Sequence, residues 1–270
     1  MSMQTGQTPP HPATRRRRGR RLRRLLGVLL MVVGLGLSTW VVVIWRWGDP
    51  FTSLYTRSQQ HRLAKTYERH LGEYRPPVVK HTKRRHADRR ARLIAELNAV
   101  RLAAQSYRVH SHTGQPVGRI RIPRLGLNMI VVDGTDHESL KRGPGLDPHT
   151  YMPGEGQLVY IAGHRTTYLA PFAHIDSLRR GDRIWIQTPY ATFEYRIVRH
   201  VIVAANAVWV LRSHGRELLA LQACHPRFFA THRYIAYAKP VRVTPRGRRA
   251  LNVAQLTLRA AGPPAAIHTS

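Results

Sequence analysis

The sequence predicts an all-β domain, a closed or nearly closed barrel, preceded by one transmembrane helix and a helical stem. Three observations carry this expectation. An uncharged apolar run of 21 residues, Leu25 to Trp45, lies near the amino terminus. Beyond Val117, seven short segments of partly alternating apolar residues follow one another, separated by Gly, Pro and Asp turn signals. The chain is also unevenly charged. Its formal charge is +30, yet only residues 116–243, with 17 basic and 9 acidic side chains, have the mixture of an ordinary folded domain.

At about 1.5 Å per residue the apolar run reaches about 30 Å, the thickness of a bilayer's hydrocarbon core. It ends in Trp45-Arg46-Trp47-Gly48-Asp49-Pro50, with no small-residue cleavage site, so an uncleaved anchor over 25–47 is expected. Eight Arg and no acid precede it in residues 1–24. Positive charge resists translocation, which places the amino terminus in the cytoplasm and the remainder outside, at the cell membrane.

Residues 48–115 read as a basic helical stem. Leu63, Tyr67 and Leu71 recur at four-residue spacing, Pro76-Pro77 breaks the pattern, and Leu93, Ile94, Leu97 and Val100 form a second stripe. The stripes are narrow and the other faces basic, so a solvated stalk is expected, or helices lying on anionic lipid or wall polymer. Strands are expected at Arg119–Ile122, Met129–Val132, Gln157–Ala162, Arg183–Gln187, Thr192–Val203, Leu218–Ala223 and Tyr234–Ala238. Short helices are expected at His137–Lys141 and Ala170–Leu178. Seven or eight closely spaced strands in so short a span call for barrel closure. Residues 244–270, rich in Pro, Arg and Ala, read as a disordered tail.

A chain this basic invites a nucleic-acid reading. No zinc-finger spacing or aromatic RNA-binding signature accompanies the charge, and the anchor removes most of the chain from nucleic acid. Anionic lipid or wall polymer fits the charge better. The single cysteine excludes an intramolecular disulfide framework and multi-cysteine metal sites.

That cysteine, Cys224, ends an apolar strand just before His225-Pro226, where a barrel rim presents a side chain to a cleft. A nucleophilic thiol needs such exposure, with positive charge nearby. His164 follows the strand Val159-Tyr160-Ile161-Ala162 across Gly163, which allows a sharp turn, and an imidazole can protonate a leaving amine near neutral pH. Arg233 opens the strand after Cys224, so the two side chains can meet across the gap between strands, where a guanidinium can stabilise an oxyanion. A metal site built from Cys224, His164, His225 and His232 is not expected, because adjacent residues of an extended chain point apart. The acids Asp133, Asp136 and Glu138 read as helix-capping residues rather than a calcium site. No cofactor is expected.

In these residues the chain resembles the sortases over 116–243. The motifs are Gly-His after a strand, and Cys-x-Pro followed by Arg nine residues after the Cys. The runs Ala162-Gly163-His164-Arg165-Thr166-Thr167-Tyr168 with Pro171-Phe172, and Cys224-His225-Pro226-Arg227-Phe228, look most like the actinobacterial class E group. The resemblance implies an eight-stranded sortase barrel and cleavage of a pentapeptide sorting signal between Thr and Gly. The acyl group would pass through a thioester on Cys224 to a cell-wall amine, with His164 as general acid and base and Arg233 as oxyanion or substrate clamp. Implied partners are secreted proteins bearing the signal and a peptidoglycan precursor amine. Many sortases carry Thr-Leu-x-Thr before the Cys; this chain has Ala220-Leu221-Gln222-Ala223, which bears on substrate preference and rate. Two other readings stand beside transpeptidation onto the wall: a pilin-polymerising sortase, and a catalytically silent membrane-anchored binding scaffold.

Overall fold

The computed structural model describes residues 13–47, 50–75 and 89–254. The chain forms two units, residues 1–48 and 49–270. In the first, the described residues form one helix, α1 (Ala13–Trp47), whose stretch Arg23–Val42 is long and apolar enough to cross a membrane.

The second unit begins with α2 (Pro50–Glu73) and α3 (Arg89–Val109). Strands β1 (Pro116–Ile122) and β2 (Leu127–Asp133) follow, then the short helix α4 (His137–Arg142), β3 (Gly145–Leu146) and β4 (Leu158–Ala162). The chain continues through β5 (Arg183–Gln187), β6 (Ala191–Ala204), β7 (Leu218–His225), β8 (His232–Pro245) and β9 (Leu251–Asn252). Hydrogen bonds run in the order β6-β5-β1-β2-β3-β4-β7-β8, and β8 pairs back onto β6, so eight strands close a barrel. Pairing is antiparallel except at β2–β3 and β4–β7. β9 adds to β8 outside the ring, through Arg242 opposite Asn252 and Val243 opposite Leu251.

The interior is filled by one face of each strand: Ile120 and Ile122, Met129 and Val131, Val159 and Ile161, Phe193 and Tyr195, Leu219 and Leu221, Ala236 and Ala238. A side-chain period of two sends the alternate residues outward. Five of the expected strands differ from the observed ones by a few residues at one or both ends, and Arg183–Gln187 coincides with β5. β8 is the large exception, running to Pro245. Lys239-Pro240 reads as a stop in sequence, but Pro240 pairs with Tyr195 at a register shift, where a missing ladder donor is tolerated. The eighth strand, β3, is two residues long, too short to show any alternation. Of the two expected helices, the first is α4, while the second is one 3₁₀ turn, Ile175–Ser177.

The described part of the stem, α2 and α3, is not a solvated stalk. Leu63 and Tyr67 of α2 are buried against Ile130 and Val132 on the outer face of β2. The Gln60 amide brackets the same strand: its Nε2 donates to Ile130 O (3.0 Å) and Arg142 O (2.8 Å), and its Oε1 accepts from Ile130 N (2.7 Å). Tyr67 Oη donates to Gln187 O of β5 at 2.8 Å. Helix α3 docks through Val100, Ala103 and Ala104, with Leu97 and Tyr107 packed beside them, whereas Ile94 is exposed. Its seat requires Gly154, whose φ is +96° and where a Cβ would fall 2.9 Å from Val100 Cγ1 and 3.0 Å from Phe193 Cζ.

The expected disorder from 244 onward also gives way in part. Residues 244–254 are ordered, and Val253 is fully buried in the barrel core. Residues 255–270 lie outside the described residues, as do Pro76-Pro77 and residues 1–12 of the Arg-rich tail.

Candidate active site at the ends of β4, β7 and β8

Three strands deliver the candidate residues to one place. In the antiparallel β7–β8 pair, Cys224 stands directly opposite Arg233. In the parallel β4–β7 pair, Ala162 stands beside Gln222, and Gly163 N donates to Gln222 O at 3.0 Å. His164 and Cys224 come two residues beyond this last pair, and the neighbour of His164, Arg165, reaches Cys224 O at 3.2 Å, so the imidazole loop meets the end of β7.

Alternation sets the face. Leu219, Leu221 and Ala223 of β7 line the barrel interior, so Gln222 and Cys224 belong to the outer face. The same parity puts His164 beyond Tyr160 and Ala162, and Arg233 beyond Ile235 and Tyr237. The floor of this outer face is an apolar cluster of Leu158, Tyr160, Ala220, Ile235 and Tyr237, covered by Val210 from the β6–β7 connection. Ala220 and Ala223, which stand where many sortases have Thr, are both fully buried, one in this floor and the other in the barrel core.

Cys224 is a free, half-buried thiol. His164 is half-buried, and burial, with a smaller contribution from His137, holds its imidazole below the usual histidine range, favouring the neutral form. Its Nε2 is buried and has no partner among the described residues, while the ring packs against Tyr168 at 5.1 Å between centroids. A neutral imidazole with an open nitrogen can take a thiol proton and return it to an amine. Gly163, just before it, is required by close packing, because a Cβ there would lie 2.7 Å from Phe172 Cδ2. Left-handed backbone occurs further on, at Tyr168, Leu169 and Ala170.

Arg233 Nη1 donates to Ala230 O (2.7 Å) and His232 O (3.0 Å), tying the guanidinium to the β7–β8 loop beside the thiol. Among the described residues its hydrogen bonds involve Nη1 alone, so Nε and Nη2 remain for an oxyanion or a substrate carbonyl. Asp136 caps α4, accepting from Glu138 N and Ser139 N at 3.0 Å each, and Asp133 accepts from Ser111 Oγ at 2.5 Å. These acids therefore have structural partners. Among the described residues no group of three or more His, Cys, Asp or Glu is arranged to hold a metal ion.

Sequence reasoning passed over Arg165. Its side chain is 3% exposed and reaches Cys224 O at 3.2 Å, His225 Nδ1 at 3.1 Å and Asp176 Oδ2 at 2.6 Å. One of 44 basic residues, it carries no distinguishing mark in sequence except its place after His164.

Residues 120–241 match the Sortase domain family. The chain is similar to Sortase D of Bacillus subtilis, 33% identical over 133 residues, which cover 48% of this chain and 66% of that protein. It is also similar to Sortase SrtE1 of Streptomyces coelicolor, 29% identical over 154 residues, 50% of this chain and 43% of that protein. The matched stretch thus spans less than two thirds of either relative. Among solved structures, a sortase D5 transpeptidase of Clostridium perfringens superposes with a TM-score of 0.53 at 21% identity, covering 68% of this chain and 99% of that one. This last likeness concerns the fold.

Proposed function

The chain belongs to the sortase family through residues 120–241, and from that premise we propose that it is a membrane-anchored cysteine transpeptidase. The observation that supports the reading is the register that sets Cys224 opposite Arg233, together with the β4–β7 pairing that ends two residues before His164 and Cys224. The substrate is the C-terminal sorting signal of a secreted protein, cut between Thr and Gly. The exposed Val208 and Trp209 on the β6–β7 connection, and Phe228 and Phe229 on the β7–β8 loop, offer apolar surface to such a peptide around the buried floor.

The chemistry follows from the three side chains. His164 takes the Cys224 proton, and the thiolate attacks the Thr carbonyl carbon while the carbonyl electron pair moves onto oxygen, facing the Arg233 guanidinium. Collapse of this adduct breaks the C–N bond, and His164 passes its proton to the departing glycine amine, leaving a thioester. A wall-precursor amine then attacks the thioester, His164 accepts its proton, and as the C–S bond breaks His164 hands that proton to the departing sulfur, restoring the thiol and the neutral imidazole. The protein product becomes joined to the wall through an amide.

In this reading residues 1–24 are cytoplasmic, 25–47 span the membrane, and residues 116–243 act outside. Mass spectrometry of the full chain in detergent, mixed with a library of peptides bearing varied sorting pentapeptides that end in Thr-Gly, tests the chemistry. The wild type gains the acyl mass on Cys224, and Cys224→Ala neither gains it nor cuts the peptide. A Cys224→Ala chain that still cleaves between Thr and Gly ends the proposal.

A further inference from the structure

Arg165 follows His164 in the bend beyond β4, and its guanidinium is buried where the strand ends meet. Two of its contacts are on the β7 terminus, the carbonyl of Cys224 itself (3.2 Å) and Nδ1 of His225 (3.1 Å). Two are on the segment that follows the His164 loop, Ala173 O (3.4 Å) and the carboxylate of Asp176 (2.6 Å). The His225 ring in turn lies 6.2 Å from Tyr234, and Tyr234 lies 5.6 Å from His200, so a polar and aromatic layer backs the strands.

We infer that Arg165 is a positioning residue for the acyl transfer proposed above: it locks the backbone of the nucleophile to the loop that carries the imidazole. Burying a guanidinium is costly, and an apolar contact would join two segments with less loss of solvation. A planar fork of donors does what apolar packing cannot, fixing two chain segments in both distance and angle. The carbonyl it holds belongs to the nucleophilic residue, so a shift there moves the sulfur. A misplacement of about 1 Å costs on the order of 10²-fold in rate.

The inference rests on the transpeptidase reading, and the experiment separates their failures. The full chain in detergent is compared with Arg165→Lys and Asp176→Asn, the latter at a half-exposed position where folding should survive. The first readout is acylation of Cys224 by the library peptide that acylates the wild type fastest. The second is iodoacetamide alkylation at pH 7, which reports on the lone thiol without any substrate. Expected for Arg165→Lys is a fall of about 10–100-fold in the acylation kcat with KM within about threefold. Its alkylation slows by several-fold. Asp176→Asn changes both in the same direction by about 3–10-fold, with an unchanged melting temperature. Both variants acylating and alkylating within twofold of wild type overturns the role of Arg165. So does a loss that only follows the unfolded fraction in melting curves. A wild-type chain that alkylates readily but never forms a thioester fails the transpeptidase reading instead, and this role falls with it.

Discussion

Replacing Leu63 by Ala distinguishes a docked helix from a free stalk. Leu63 is 3% exposed and packs with Tyr67, Ile130 and Val132 between α2 and β2. Leu→Ala at such a site costs about 3 kcal/mol, the lost transfer energy plus a cavity that rigid strands cannot close. For a domain of this size each kcal/mol lowers the melting temperature by about 2–4 °C, so Leu63→Ala should melt about 6–12 °C early. Tyr67→Phe keeps the packing and removes only the 2.8 Å bond to Gln187 O, a loss of about 1 kcal/mol and about 2–4 °C. Ile94→Ala, on the exposed side of α3, is the control and should shift melting by less than about 2 °C. The assay is thermal unfolding of the full chain in detergent, followed by near-ultraviolet circular dichroism. If Leu63→Ala melts with the Ile94→Ala control, α2 contributes nothing to the domain and the docking described above is wrong.

At the active site, His164→Ala should form almost no thioester, and Arg233→Lys should form it about 10²–10³-fold more slowly, because a single ammonium replaces a fork of donors. Equal single-turnover rates for Arg233→Lys and wild type would remove Arg233 from oxyanion stabilisation. Glu217 is buried at the start of β7, accepting from Gly154 N (3.0 Å), Gly156 N (3.1 Å) and Tyr195 Oη (2.5 Å), and burial pushes its carboxyl up to about 7. A raised folded value means the folded chain keeps a proton that the unfolded chain releases near 4.5, so this stabilisation is full at low pH and is lost as pH rises to about 7. Glu217→Gln should therefore gain stability relative to wild type between pH 5 and 7.5 in paired melting curves; a difference that does not vary with pH contradicts this. For topology, protease added to protoplasts should remove the barrel and leave a small anchored fragment. Full protection of residues 116–243 would reverse the orientation.

Much of the barrel was legible because its signals are local. Alternation with flanking Gly, Pro and Asp marks a strand without reference to its partner, and Arg183–Gln187 coincides with β5 for that reason. The reactive residue types were legible too: the lone Cys224 at a strand terminus, Gly163-His164 after β4, and Arg233 at the head of β8. Their convergence depends on the register of three strands, two of them parallel neighbours some 60 residues apart in sequence, and only pairing fixes that. Closure through β6–β8, the two-residue β3 and the added β9 were decided in the same way, by partners far along the chain.

By itself, then, the sequence determined an apolar segment of membrane-spanning length, the strand periodicity and the chemistry on offer at positions 164, 224 and 233. The tertiary structure decided which apolar stripes find a groove. Leu63 and Tyr67 look like the narrow stripe of a solvated helix until β2 presents Ile130 and Val132 to cover them. It also decided which charges matter. Among 44 basic side chains, Arg165 became distinct only when folding buried it between Asp176 and the carbonyl of Cys224. Burial and long-range contact are properties of the assembled barrel, and no local pattern encodes them.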